Sequence, residues 1–387
     1  MLLHMCYEGC EDMIYLDNSA TTKPCDKAIT LMNKALTENW GNPSSLHILG
    51  MYAEIALNNA RKIIAKSISA KENEIIFTSC GTEANNMAVM SALSRKSYGN
   101  RIITTAIEHP SVLEAVKKLE NEGFEVIYLH PDKNGIISLD DLKNSLNSKT
   151  VLVSIMMVNN ELGSIQPISE AAKLIKTLSP NALFHCDAVQ GYGKLPISVT
   201  QLGVDLLTAS GHKIHAPKGI GFLYCKSSVH INPLIVGGGQ EKGLRSGTES
   251  LPLIAAFQGA VEDLPNLQNQ LNIQKELFKY AKELFLKSNL IKINSCDDGC
   301  PYVLNISLLG YRSETILHFL ENKEIYVSSG SACSKGKKSY VLKEIGLSNN
   351  EIDSAIRISF SRYNTKQDVD MLFEALLEAS KKIRKAN

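Results

Sequence analysis

A chain of 387 residues, 44% of them hydrophobic, is long enough for two domains with cores of their own. Its formal net charge of +1 offers no electrostatic hold on nucleic acid or a membrane surface, and no apolar stretch approaches membrane-spanning length. Nine cysteines, an odd number in no regular framework, indicate a reducing compartment rather than an exported disulfide scaffold.

Residues 1–12 open with an apolar stretch too short for a signal core, and the acids Glu8, Glu11 and Asp12 follow it. No export signal is expected, and the protein reads as cytoplasmic. Cys6 and Cys10, like Cys296 and Cys300 far downstream, are spaced as metal ligands can be, but no histidines accompany them and no metal site is expected. Beyond this leader, short apolar runs at 74–77, 101–105, 124–129, 151–156, 182–185 and 205–209 predict strands. Helical patterns at 84–93, 111–120, 139–146 and 168–178 fall between them. This βαβ alternation predicts an α/β fold whose mainly parallel sheet is covered on both faces, with ligand residues at the carboxyl ends of its strands. A helical pattern over 251–286, interrupted near Pro265, leads into a smaller α+β domain. That domain has strands at 302–307, 325–327 and 355–360 and a last helix over 366–385. The expected division is a large domain over 20–260 and a small one made of 1–19 and 261–387.

Three short segments carry chemistry. Ser210, Gly211, His212 and Lys213 form a small polar turn after one strand, while Asp187 ends the preceding one and Gln190 follows it. A lysine and a carboxylate on neighbouring strand ends are what pyridoxal phosphate requires: the amine forms a Schiff base with the cofactor aldehyde, and the acid keeps the pyridine nitrogen protonated. Taken singly, Lys213 is equally a loop lysine and Asp187 an N-cap. Thr78, Ser79, Cys80, Gly81, Thr82 and Glu83 join a strand to a helix start, where free amides and the helix dipole converge on an anion. A plain capping box is the other reading of that turn. Finally, Cys333 lies among Ser328, Ser329, Gly330, Ser331, Ala332, Ser334, Lys335 and Gly336. Small residues and a nearby cation suit a nucleophilic thiolate, although a cysteine can also be a small buried hydrophobe.

Taken together and in order, these segments resemble the cysteine desulfurases of the NifS and IscS type, within the class V aminotransferase-like enzymes. The resemblance also rests on Tyr15 to Thr22, Asn42 to His47, Glu108-His109-Pro110, Val158 to Gly163 and Gly243 to Glu249, and so runs over nearly the whole chain. It implies the fold type I of pyridoxal phosphate-dependent transferases and a homodimer. His109 would stack on the cofactor ring, Asn160 would touch its phenolic side or the substrate, and Gln190 would bond the ring oxygen. Gly81, Thr82, Ser210 and His212 would hold the phosphate, which Thr248 would reach from the partner subunit. Arg357 would grip the substrate carboxylate.

The implied reaction converts L-cysteine to L-alanine. Lys213 and His109 move protons, Asp187 supports the ring, and Cys333 takes the sulfur as a persulfide on a mobile loop spanning 328–339. The sulfur would pass to an acceptor protein serving iron–sulfur cluster assembly or tRNA thiolation. A selenocysteine lyase or another carbon–sulfur lyase on the same scaffold is the nearest alternative, and a non-catalytic sulfur-transfer partner is a third. The chain departs from the family pattern at Cys80 and Gly81, where glycine and alanine are usual, and in residues 334–339, which are shorter than in many relatives and rich in lysine.

Overall fold

A computed structural model describes residues 13–329 and 338–385 of the chain. The described residues form two compact units, one of 21–159 and 165–269, the other of 13–20, 160–164, 270–329 and 338–385. Among them no helix is long and apolar enough to cross a membrane.

The larger unit is built on seven strands: β1 (Ile75–Thr78), β2 (Arg101–Thr105), β3 (Glu125–Leu129), β4 (Thr150–Met156), β5 (Leu183–Asp187), β6 (Leu206–Ser210) and β7 (Gly221–Cys225). They lie in the order β1-β7-β6-β5-β4-β2-β3. All run parallel except β7, which is antiparallel to both of its neighbours. Every residue of β1, β4, β5, β6 and β7 is buried, whereas β3 at the sheet edge is mostly half-exposed. Strands covered on both faces have no polar side to alternate with, which is why they read in sequence as continuous apolar runs. The connecting helices Gly81–Met90, Pro110–Asn121, Leu139–Ser145 and Ile168–Leu178 bring Met87, Val112, Val116 and Ile175 inward at helical spacing.

Register decides what the sheet presents at its carboxyl edge. Met156 on β4 lies opposite Asp187 on β5, and Asp187 lies opposite Thr208 on β6. The segments following β1, β2, β5 and β6 carry Gly81, His109, Gln190 and Lys213 respectively, so the sheet gathers them at one edge although they are far apart in the chain.

The smaller unit holds an antiparallel sheet of β8 (Ile291–Ile293), β9 (Val303–Leu308), β10 (Ser328–Ser329) and β11 (Ala355–Ser359), in the order β10-β11-β9-β8. A separate two-residue parallel ladder pairs Ile14–Tyr15 with Ile325–Tyr326. Leu304, Ile306, Ile356 and Ile358 pack with Val369, Leu372 and Leu376 of the helix Lys366–Lys382 in one core. That helix starts with a capping box, Thr365 accepting from Asp368 N while the Asp368 carboxylate accepts from Thr365 N.

Candidate active site

The turn after β1 is tied to the helix it starts. Both the amide and the hydroxyl of Ser79 donate to Glu83 Oε2, and Arg245 Nε donates to Glu83 Oε1 at 2.8 Å. The N-cap itself, Cys80, makes no side-chain capping bond, so Ser79 ties the turn to Glu83 without taking the first amides of the Gly81–Met90 helix. Gly81 is needed for space: a Cβ there would meet Val189 Cγ2 at 2.9 Å and Ser210 Cβ at 3.4 Å. Ser210, 2% exposed, has its hydroxyl buried with no hydrogen-bond partner among the described residues. An orphan hydroxyl beside the amino end of a helix has the chemistry that suits an anion.

Asp187 closes β5 with both oxygens engaged. Oδ1 accepts from Val189 N at 2.9 Å and Oδ2 from Asn85 Nδ2 at 2.7 Å. The same Asn85 amide donates to Ser111 Oγ at 2.8 Å, so the Ser111 hydroxyl turns its proton toward His109 Nδ1, also at 2.8 Å. Ser111 N donates to that nitrogen as well. With Nδ1 accepting twice, the proton of the neutral His109 ring belongs on Nε2. Burial lowers the His109 pKa and the charge of Lys213 lowers it further, against an opposing pull from Asp187. Lys213 ends the short turn Gly211–Lys213 after β6. His212 is pushed down to about 4, first by burial and then by the charges of Lys213, Lys218 and Lys194, and its Nδ1 lies 3.2 Å from Thr21 Oγ1. Gln190 is buried, and its Oε1 accepts from Lys194 Nζ at 3.0 Å. Thr82 and Thr248 are exposed.

Under this site lie polar groups shielded from water. His185, two residues before Asp187 and on the same face of β5, bridges Ser154 Oγ at 2.8 Å and Thr208 Oγ1 at 3.1 Å. Burial drives its pKa down to about 3, so the ring stays neutral. Glu108 accepts on Oε1 from Met156 N at 2.7 Å and Thr105 Oγ1 at 2.8 Å. Burial raises its carboxyl to about 8, with Asp187 adding to the rise and the bond from Met156 N opposing it. A folded-state value above the unfolded 4.5 means that the stability from this proton is complete below pH 4.5 and is lost as pH rises through about 8. Glu108→Gln keeps the shape and the acceptor but removes the titration. Between pH 5 and pH 9 the wild type should lose on the order of 2–4 kcal/mol relative to this variant, read by denaturant unfolding at each pH. A difference that stays constant with pH would show that Glu108 is ionised in the fold.

The smaller unit carries Arg357 and Asn160 together: Arg357, at the centre of β11, donates from Nη1 to Asn160 O at 3.1 Å and from Nη2 to Asp17 Oδ1 at 2.9 Å. Cys333 lies outside the described residues, as do Cys6 and Cys10. Among the described residues, no group of three or more His, Cys, Asp or Glu side chains could hold a metal ion.

A family model described as aminotransferase class-V matches residues 14–372. The chain belongs to this family. A cysteine desulfurase from Nostoc sp. (strain PCC 7120) is 40% identical to it over 380 residues, 96% of this chain and 94% of that one. A solved NifS-like protein is 36% identical with a TM-score of 0.91, covering 96% of this chain and 100% of its own. The structure described as SspA in complex with cysteine is 34% identical with a TM-score of 0.80, covering 91% and 100%. Class-V members of this type are pyridoxal phosphate enzymes of fold type I, so the expected fold and cofactor are those of this chain. The residues fit the group: the orphan Ser210 hydroxyl beside Gly81 suits the phosphate, and the buried, doubly bonded Asp187 suits a protonated ring nitrogen.

The sequence reading of this class-V site passed over Asn85, Ser111 and His185. The local signal for Asn85 was weak but present, since consecutive asparagines inside a helix are poor helix formers and suggest another employment. For Ser111 there was none, because a serine near a helix start is an ordinary capping residue.

Proposed function

We propose that this protein is a cysteine desulfurase that removes sulfur from L-cysteine, releases L-alanine and carries the sulfur on Cys333 for delivery to an acceptor protein. The observation that carries the reading is the linked set Asp187–Asn85–Ser111–His109 with Lys213 on the neighbouring strand end. It supplies a fixed anion, an imidazole of defined tautomer and an amine at one sheet edge. Pyridoxal phosphate, when bound, supplies a sink for the electrons left at the carbon beside the substrate carboxylate.

The chain's own groups do the rest. Gly81, Thr82, Ser210 and His212 hold the phosphate, and the double hydrogen bonding of Asp187 keeps its charge in place without reorganisation. Gln190 takes the ring oxygen. His109, held below its ordinary pKa by burial, presents its Nε2 proton as a donor and so assists Lys213, whose amine moves the α-proton. Asn160 and Arg357 receive the substrate, the guanidinium taking its carboxylate. The Cys333 thiolate attacks the substrate sulfur: a sulfur–sulfur bond forms, the carbon–sulfur bond breaks, and its electron pair stays on the carbon that becomes the alanine methyl group after protonation.

The same reading makes the protein a homodimer in which Thr248 reaches the partner's phosphate. Exposed apolar side chains support it. Ile48, Met51, Tyr52 and Ile55 form a stripe along the helix Ile48–Ser67, near Trp40 and Leu46 in the chain, and Val236 is 80% exposed. The acceptor is proposed to be an iron–sulfur scaffold or a tRNA-thiolation protein, and the compartment the cytoplasm. Incubation of the holoenzyme with L-cysteine and a thiol reductant should yield alanine and sulfide in equal amounts. Cofactor-loaded protein that releases neither would transfer the substrate role to another amino acid.

A further inference from the structure

Arg357 is 3% exposed, and its guanidinium is only partly satisfied. Nη1 donates to Asn160 O and Nη2 to Asp17 Oδ1, but Nε is buried with no acceptor among the described residues. Nε and Nη2 lie on the same edge of a guanidinium, the edge that binds both oxygens of a carboxylate in the fork geometry. Here that edge is half used: Asp17 supplies one oxygen to Nη2, and its neighbour is left empty. The Asp17 backbone is fixed, its carbonyl accepting from Ala20 N at 3.0 Å and the Tyr15 hydroxyl at 3.2 Å while the residue bridges Ser359. Its side chain is freer, 21% exposed against 4% for that of Arg357.

The geometry points to Asp17 as an internal competitor for the substrate carboxylate, neutralising Arg357 in the substrate-free enzyme and giving up Nη2 when a carboxylate with two correctly placed oxygens arrives. The inference rests on the assignment of the substrate carboxylate to Arg357. In the exchange one charge-assisted hydrogen bond is broken and two are made, the second to the orphan Nε, while the partly exposed Asp17 returns to water. A ligand with a single acceptor gains nothing by the exchange, so Asp17 also sets a threshold against amide or ester analogues of the substrate. Asp17 is thus a specificity-determining residue that never touches the reacting atoms.

The test is steady-state kinetics of the holoenzyme with L-cysteine, together with inhibition by L-alanine, for the wild type, Asp17→Asn and Arg357→Ala. The amide substitution keeps an acceptor of the same shape at position 17 without the competing charge. KM and the alanine inhibition constant should both fall about fivefold in Asp17→Asn while kcat changes less than twofold, since only binding common to ground and transition states is affected. Arg357→Ala should raise both constants at least about tenfold. An unchanged or raised KM in Asp17→Asn, with Arg357→Ala still impaired, overturns the competitor role and leaves Arg357 as the carboxylate residue. Unchanged constants in Arg357→Ala overturn both. If Asp17→Asn does not fold, Asp17→Ser carries the same expectation, with the thermal midpoint measured beside the kinetics.

Discussion

Replacing Lys213 by alanine is expected to lower L-cysteine turnover by about 10³-fold or more and to abolish the visible band of the lysine-linked cofactor, while the protein remains folded. The fold should survive because the turn does not depend on this side chain. Gly211 N donates to Ile220 O at 3.0 Å, Ile214 N to Gly211 O at 3.0 Å, and the His212 carbonyl accepts from Thr22 N at 2.9 Å. Gly81 and Ser210, which we propose hold the phosphate, are likewise untouched, so the cofactor should still bind through its phosphate and Asp187. What disappears is an amine that can carry a proton to and from the reacting carbon, together with a positive charge. That charge helps to lower the pKa of both His109 and His212, so both should rise toward the ordinary histidine value in the variant. The absorption spectrum and the single-turnover rate settle the matter. A visible spectrum identical to that of the wild type would remove Lys213 from the reaction.

Cys333→Ser should retain the cofactor spectrum but reduce sulfide release to background, because a hydroxyl is too weakly acidic to form the attacking anion at neutral pH. The described residues on either side bear on this expectation. Ser328, on β10, is paired with Arg357 on β11. Ser339, which caps the helix Tyr340–Glu344, donates to Glu161 Oε2 at 2.5 Å, next to the Asn160 carbonyl that Arg357 holds. Both roots of the segment are therefore fixed around the proposed carboxylate-binding arginine. Equal production of alanine and sulfide by Cys333→Ser and the wild type would assign sulfur removal to another group.

The α/β class was legible because five of the seven large-sheet strands are buried on both faces, and such strands announce themselves as apolar runs. The helix 168–178 has the same bounds in sequence and structure for a related reason: its apolar residues recur at helical spacing up to Leu178, and Ser179 and Pro180 cannot continue it. β7 was not anticipated. It follows a stretch dense in glycine and proline, and its antiparallel direction comes from pairing with β1 and β6 rather than from any local pattern. The site divides along similar lines. Residues announced by unusual neighbours, such as Lys213 and Asp187, could be picked out from a single sequence. For Asn85 the paired asparagines hint at some employment but not which one, since its role depends on meeting Asp187, 102 positions later, through a register set by the whole sheet.

The strand order has a consequence for how the protein is made. Among the described residues β1, the first strand of the large sheet, pairs with β7, the last, and with no other strand. Gly221 of β7 also packs against the turn at Cys80 and Gly81 so closely that a Cβ on it would lie 2.9 Å from the Cys80 carbonyl carbon. The strand that enters this turn therefore has no neighbour in the sheet until residue 225 has left the ribosome, and closing a loop of that length is slow relative to local helix formation. Cofactor capture is in this sense a late event in biogenesis, and a nascent chain arrested before β7 should emerge colourless however much pyridoxal phosphate surrounds it.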